Sequence, residues 1–307
     1  ELEVNLTAGA TGVQVDTGSN VTRVAGDAVS GSGDAKIDAG DLANDTDLTV
    51  AGSAQMEVTD LIGDLRTDVA TGPLTVTTAD NGDDNSITIE TSEASTSITA
   101  DHGSDTITVE AADLLDDEQL SLSGESAFVV KALSGDLDAD ALGTEPSDPA
   151  DRKLDVTLSA ADDLTIDSDR NANIDAAGES GGMAEGSVLS LSGSGDMTLD
   201  NVRADIDASS SNAASSVLSG DLLINTVGVQ GSNTTPAMEI ATGTGSMTVN
   251  GVDAIEDTEN IDIRVDATEM ADNLDATVLK LQGSAEYELV NNAVADGTNK
   301  VEVDLSE

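Results

Sequence analysis

Short segments in which apolar and polar residues alternate recur along the chain. Examples are Leu2-Val4-Leu6, Leu74-Val76 and Ile107-Val109. Such segments are short and are bounded by Gly, Asp, Asn or Ser. Alternation with period two is typical of β-strands, and the bounding residues are typical of turns. The pattern therefore predicts an all-β fold.

Helical periodicity is weak. Three segments have a composition that suits short helices or single turns, namely Ala111–Gln119, Asp136–Leu142 and Ala267–Asp275. Each is too short to predict a long helix.

An internal repeat is the strongest organising signal. The segments 48–65 and 120–137 share their apolar positions, one Gly and a Gly-Asp-Leu ending, and further copies start near 189, 239 and 279. Repeats that bury one face against the next copy are typical of solenoids. The unequal spacing of the copies predicts inserted loops. The repeated glycines are Gly52, Gly124, Gly193, Gly243 and Gly283.

The composition favours a thin core. Apolar residues make up 38% of the chain and aromatic residues 1%, so Val, Leu, Ile and Ala must fill the interior. We expect a β-solenoid or β-roll-like repeat architecture with roughly 20–25 residues per coil. The alternative is a set of tandem β-sandwich domains. The expected organisation is an N-terminal β segment, 1–47, followed by a repeat-built region, 48–307, in one continuous structure.

The net charge of the chain excludes some classes of partner and favours others. The chain has 61 Asp and Glu against 11 Lys and Arg, a net charge of -50. This charge repels phosphate backbones, so we expect no nucleic-acid partner. No apolar run is long enough to predict a transmembrane segment. A compact state this negative needs screening by salt or bound cations, and Ca²⁺ is the best-matched ion.

The repeat, together with the segments 74–90 and 97–114, resembles tandem repeats in giant surface proteins of Gram-negative bacteria. These are S-layer-like, adhesin-like and RTX-related proteins exported by type I secretion. The resemblance implies a calcium-dependent β-roll in a surface coat, fibre or adhesin stalk. The RTX nonapeptide itself is not repeated, because only the half-motifs Gly82-Asp83-Asp84 and Gly103-Ser104-Asp105 occur.

Two acidic segments are candidate calcium sites. Strands at Ile87, Ile98 and Ile107 have half-coil spacing, which would bring the turns before and after Ile98 close together. Converging carboxylates repel unless a cation binds them. The alternative is that these turns are simply solvated. The predicted ligands are Asp80, Asp83, Asp84, Asp101 and Asp105.

The second candidate resembles the spacing of an EF-hand loop, in which alternate oxygens point to one ion. It departs from that pattern at Ala172, where the loop has Gly, and at Gly178, where it has Glu. An ordinary acidic loop is the alternative. The predicted ligands are Asp167, Asp169, Asn171, Asn173 and Asp175.

Catalysis is not expected. The chain has no Cys and a single His, His102. The segment Gly178–Gly182 matches a nucleophile-elbow pattern, but no helical pattern follows it and no second His is available as a base. We predict no catalytic residues and no organic cofactor.

The hypothesis from sequence is an extracellular or cell-surface structural protein, secreted, that self-assembles into a surface layer or filament stabilised by Ca²⁺. Its main partner would be further copies of itself. One alternative is an adhesin stalk that binds a cell-surface glycan, although such sites usually need aromatic residues. A secreted β-helical polysaccharide-acting enzyme is the second alternative, and the scarcity of cationic residues weighs against it.

Overall fold

The computed structural model describes most of the chain and divides it into two compact units, 1–154 and 155–307. The described residues are 2–8, 13–16, 21–28, 34–40, 47–79, 86–100, 106–115, 118–142, 154–159, 164–168, 170–176, 183, 187–211, 216–229, 231, 236–253, 261–268, 278–290 and 300–304.

Unit 1 is built from short strands, as the alternation predicts. They are β1 (Leu2–Ala8), β2 (Val13–Asp16), β3 (Val21–Ala28), β4 (Asp34–Asp38), β5 (Asp47–Gly52), β6 (Gln55–Leu61), β7 (Asp64–Ala70), β8 (Leu74–Thr78), β9 (Ser86–Glu90), β10 (Thr96–Ala100), β11 (Thr106–Glu110), β12 (Gln119–Gly124), β13 (Ala127–Leu133) and β14 (Asp136–Leu142).

The strands of unit 1 alternate between two parallel sheets. Odd-numbered strands pair only with odd-numbered strands, and even-numbered strands with even-numbered ones. Thus Ile107 pairs with Ile87 in one sheet, whereas Ile98 lies in the other. Each strand, turn and following strand complete one coil, and successive coils stack through parallel hydrogen bonding. The β-roll-like solenoid and the half-coil spacing of these three residues are confirmed.

Unit 2 repeats this arrangement, with β15 beginning at the unit boundary. Its strands are β15 (Leu154–Leu158), β16 (Leu164–Asp167), β17 (Ala172–Asp175), β18 (Val188–Ser192), β19 (Met197–Val202), β20 (Asp205–Asp207), β21 (Leu222–Val229), β22 (Met238–Ala241), β23 (Met247–Asp253), β24 (Ile263–Asp266), β25 (Val278–Gly283), β26 (Tyr287–Val290) and β27 (Lys300–Asp304).

The core of each unit lies between its two sheets. In β8 and β10, for example, alternate residues are buried and the others are half-buried. The buried hydrophobic residues are Val, Leu, Ile, Ala and Met, apart from the single Phe of the chain, Phe128, which is fully buried. A narrow interlayer space explains why the chain needs so few aromatic residues.

The structure corrects two expectations. Asp136–Leu142 forms strand β14, because Leu137 and Ala139 face the core while Asp138 faces outward, a period of two. The described pairings are parallel, which excludes tandem antiparallel β-sandwiches. The described part of Ala111–Gln119 forms turns and the start of β12, and most of Ala267–Asp275 lies outside the described residues.

Among the described residues, no helix has both the length and the apolar character that crossing a membrane requires.

Candidate functional site

The repeated glycines occupy the corners of the coils. Gly52, Gly124, Gly193 and Gly283 have φ between 99° and 106°, a region that favours glycine. At Gly193 a Cβ atom would also collide with the carbonyl oxygen of Ser168 in the neighbouring coil. The sequence repeat therefore marks places where the backbone turns sharply and the next coil lies directly against it.

The copies of the repeat begin on strands of either sheet. Gly52 and Gly283 end odd-numbered strands, whereas Gly124 ends the even-numbered strand β12 and Gly193 follows the even-numbered strand β18. The same sequence signature thus forms either corner of the roll. Whole and half coils can separate two copies, and this explains the unequal spacing of the glycines.

A second corner feature lies eight residues after three of these glycines. Asp60, Ala132 and Asn201 have φ between 52° and 61°, although none is glycine. The strands that contain Asp60 and Asn201 have a register shift at that point, which is the signature of a β-bulge. The chain therefore accepts local strain to turn from one sheet to the other.

In unit 2 the corners of successive coils stack on one another at one edge of the roll. Gly195 donates its N–H to Ser168 O at 3.1 Å, and Ser219 donates to Gly193 O at 2.9 Å. Thr244 donates to Leu218 O at 2.9 Å in the next coil. Backbone hydrogen bonds thus connect each corner to the one beneath it.

Acidic and amide side chains form a ladder beside this corner. The Oδ1 atom of Asn171 accepts the N–H of Asp196 at 2.9 Å, and Asp196 Oδ1 accepts the N–H of Asp221 at 2.9 Å. Asp221 Oδ1 in turn accepts the N–H of Ser246 at 2.9 Å. Each step spans 25 residues, the length of one coil. One oxygen of each of these side chains thus holds successive coils in register.

A second ladder runs along the outer face of the odd-numbered sheet in unit 2. Asn225 donates its Nδ2–H to Asp200 Oδ1 at 2.7 Å. Asn250 donates to Asn225, and Gln282 donates to Asn250. The four residues lie on β19, β21, β23 and β25, so one polar column connects four neighbouring strands.

Two arginines neutralise acids on the strands beside them. Arg66 bonds Asp47 Oδ2 through Nε at 2.9 Å and Glu90 Oε1 through Nη1 at 3.0 Å. The hydrogen bond to Asp47 and the attraction of both acids raise the pKa of Arg66. Arg264 bridges Glu288 and Glu239 in the same way in unit 2, at 2.6 and 2.7 Å. These two arginines therefore each lie between two acidic neighbours.

The predicted calcium ligands divide into two groups. Asp167, Asn171, Asn173 and Asp175 are described, and six lie outside the described residues, namely Asp80, Asp83, Asp84, Asp101, Asp105 and Asp169.

The described ligands do not point to one centre. Asn171 bonds Asp196, Asn173 donates its Nδ2–H to Asp155 Oδ1 at 2.8 Å, and Asp175 Oδ1 accepts from Asn201 Nδ2 at 2.9 Å. In the described ranges no three His, Cys, Asp or Glu side chains are grouped closely enough to hold a metal ion. Calcium binding stays a prediction.

Unit 1 also presents an uncharged face that sequence reasoning missed. Its outward side chains come from the three neighbouring strands β8, β10 and β12, and the Oγ atoms of Thr99 and Ser123 lie 2.8 Å apart across two of them. Alternate Ser and Thr within each strand were the available signal. We call this the hydroxyl face; its residues are Thr75, Thr77, Ser97, Thr99, Ser121 and Ser123.

The opposite sheet of unit 1 differs in charge at the same level of the roll. Strands β9, β11 and β13 present Glu90, Glu110 and Lys131 outward, and β9 and β11 also present Thr residues. The hydroxyl face therefore stands out in a chain with a net charge of -50.

The only Tyr of the chain, Tyr287, is half-buried and forms a polar contact in unit 2. Tyr287 Oη accepts the N–H of Gly251 at 2.7 Å and donates to Gln282 O at 2.7 Å. A Cβ atom at position 251 would collide with this hydroxyl. Burial raises the pKa of Tyr287 to about 12.

No family model, curated protein or solved structure matches this chain, so the comparisons assign it to no family.

Proposed function

We propose that this chain is a secreted, extracellular structural protein whose copies associate into a surface layer or filament that Ca²⁺ stabilises. The observation that carries the proposal is that outward polar side chains bind from coil to coil. Asp196, Asp221 and Asn225 each bond a residue on a neighbouring coil. These bonds connect neighbouring coils and stiffen the fold, as a structural protein requires.

Charge accounts for the proposed dependence on cations. Two copies with a net charge of -50 each repel one another strongly at low ionic strength. Monovalent salt screens this repulsion over about 8–10 Å at 0.10–0.15 M. A divalent cation can in addition bridge carboxylates, and Ca²⁺ accepts the flexible oxygen coordination that acidic turns provide.

The hydroxyl face is the surface on which we place the contact between copies. It carries no charged side chain on β8, β10 or β12. Some of its hydroxyls already bond one another, as Thr99 does with Ser123, which reduces the cost of removing water. Flat, regular arrays of identical small side chains also pack closely against each other.

The area of this face sets the expected strength of the contact. Three strands spaced by about 4.8 Å, with two outward residues each, present on the order of 200 Å². A stable dimer needs about 800 Å² per partner. One such contact is therefore weak, and assembly would depend on many contacts acting together in a polymer.

The test is the size and shape of the purified chain under four conditions of equal ionic strength: Ca²⁺, Mg²⁺, chelator and NaCl alone. Electron microscopy and sedimentation velocity should show regular polymers in Ca²⁺ that dissociate when chelator is added. Polymers that persist in chelator would contradict the claim that Ca²⁺ stabilises the assembly. Monodisperse particles under every condition would contradict self-assembly and would favour an adhesin stalk.

A further inference from the structure

A cavity of about 200 Å³ lies at the ends of three neighbouring strands of unit 2. Strands β20, β22 and β24 lie side by side in the even-numbered sheet, and Asp207, Ala241 and Asp266 are register partners at their ends. The residue before each of them is buried in the core, so these three side chains lie on the outer face. Ala241 has the shortest side chain of the three, and it forms the floor of the cavity between two carboxylates.

The two walls of the cavity have the same construction. Asp207 Oδ1 accepts hydrogen bonds from the N–H and the Oγ–H of Ser209, at 3.0 and 2.6 Å. Asp266 Oδ1 accepts from the N–H and the Oγ1–H of Thr268, at 3.0 and 2.6 Å. Each hydroxyl has a single hydrogen, so what it offers beyond this bond is acceptor lone pairs. The walls therefore combine negative charge with acceptors, which suits a cationic ligand that carries several N–H donors.

A buried hydroxyl beside the floor lacks a hydrogen-bond partner. Thr242 lines the cavity and is 1% exposed, and its Oγ1 atom has no partner. The residues at the matching places after β20 and β24 are Ala208 and Ala267, so this hydroxyl belongs to no column of like side chains. A buried hydroxyl without a partner is unfavourable, and an N–H donor of a ligand in the cavity would supply the missing bond.

We propose that this cavity binds a short linear diammonium cation, with one ammonium group at each carboxylate and the carbon chain over Ala241. This site is independent of the proposed assembly. Asp207 and Asp266 are two strand spacings apart, about 9.6 Å at the backbone. Ammonium–carboxylate bonds of about 2.7–2.9 Å at both ends leave at least about 4 Å between the two nitrogens, which a short carbon spacer provides.

A metal ion bound directly by both carboxylates fits this arrangement less well. Ca²⁺ binds oxygen at about 2.3–2.6 Å, so two of its ligands lie at most about 5 Å apart. That is the spacing of adjacent strands, whereas Asp207 and Asp266 lie on strands that β22 separates. A metal ion would also make no use of the methyl group of Ala241, against which a carbon chain can pack.

The experiment is calorimetric titration of the whole chain with 1,4-diaminobutane at pH 7 in about 0.15 M NaCl, which limits the range of non-specific attraction to about 8 Å. One ion per chain should bind at least about tenfold more tightly than butylamine, which can pair with one carboxylate only. Asp207→Asn and Asp266→Asn should each weaken 1,4-diaminobutane by at least about tenfold, since each removes one charge-assisted bond.

Two further variants distinguish this cavity from general attraction to an acidic chain. Ala241→Leu keeps every charge but fills the space, and it should abolish the binding of 1,4-diaminobutane. Asp200→Asn removes one charge from an exposed position on β19, in the other sheet, and should bind as the wild type does. Circular dichroism would establish that each variant keeps the β-sheet signal of the wild type.

Equal affinities for 1,4-diaminobutane and butylamine in the wild type would overturn the proposal. An equal loss in Asp200→Asn and Asp207→Asn would also overturn it, because the net charge of -50 would then account for binding. A wild type that binds Ca²⁺ but no 1,4-diaminobutane, and that loses this Ca²⁺ in Asp207→Asn, would replace the diammonium site with a metal site. If Ala241→Leu does not fold, the two Asp→Asn variants and the comparison with butylamine still decide the question.

Discussion

At the scale of single residues, a corner glycine can meet two requirements at once. Gly193 combines φ of 103° with close contact to Ser168 O. We predict that Gly193→Ala lowers the free energy of unfolding by more than about 2 kcal/mol, because the left-handed conformation and the displaced carbonyl both cost energy. Urea unfolding followed by circular dichroism measures the change.

Gly40→Ala is the control for this substitution. Gly40 lies outside the left-handed region, and the nearest atom to an added Cβ is Asp60 Cβ at 3.3 Å. A cost of less than about 1 kcal/mol is expected there. Equal losses in the two variants would show that the positive φ of the corner is not what limits stability.

The free energy of unfolding depends on pH through Tyr287. Burial raises its pKa from 10.0 to about 12, so the neutral phenol is favoured in the folded state. The resulting stability is complete below pH 10 and is lost as the pH rises from 10 through about 12. Allowing for the part of the ring that faces solvent, the loss is on the order of 2 kcal/mol. Because the chain has one Tyr, phenolate absorbance reports this residue alone.

Tyr287→Phe separates ionisation from other effects of alkaline pH. This variant loses the hydrogen bonds to Gly251 and Gln282 and is less stable at neutral pH. Its stability should not fall further through the ionisation of residue 287. A Tyr287 that titrates near pH 10 in the folded chain would contradict the burial of its hydroxyl.

At the scale of elements, the sequence allowed the strands and corners to be predicted because their causes are local. Alternation determines which residues of β8 and β10 face the core. The positive φ at Gly52 and Gly124 favours glycine, so these corners are visible in the sequence. The prediction failed at Asp136–Leu142, where Asp and Ala residues hid a period of two within a helix-favouring composition.

Contacts between coils could not be predicted, because they depend on the number of residues in each coil. The register partners Leu48, Leu65 and Ile89 are unequally spaced along the chain. Loops of different length therefore decide which oxygens meet. The spacing of Asp196, Asp221 and Ser246 is regular, and it was the one available sign of a ladder. The pairing of Asp167 with Ser192 in register had no such sign.

At the scale of the whole molecule, the proposed association of copies through the hydroxyl face can be tested by one substitution. A carboxylate placed at its centre would add charge and a desolvation cost to every contact in the polymer. We therefore predict that Thr99→Asp raises the concentration needed for assembly by at least about tenfold, since many weak contacts are weakened together. Light scattering in Ca²⁺ over a series of protein concentrations measures this threshold.

Thr108→Asp makes the same chemical change on β11 in the opposite sheet, which already presents Glu90 and Glu110. Because the two variants have equal net charge, any difference in their thresholds reflects the face and not overall repulsion. A threshold near that of the wild type is expected for Thr108→Asp. If Thr108→Asp raises the threshold and Thr99→Asp does not, the contact between copies lies on the odd-numbered sheet. Cations must then bridge the acidic side chains of that sheet in the contact.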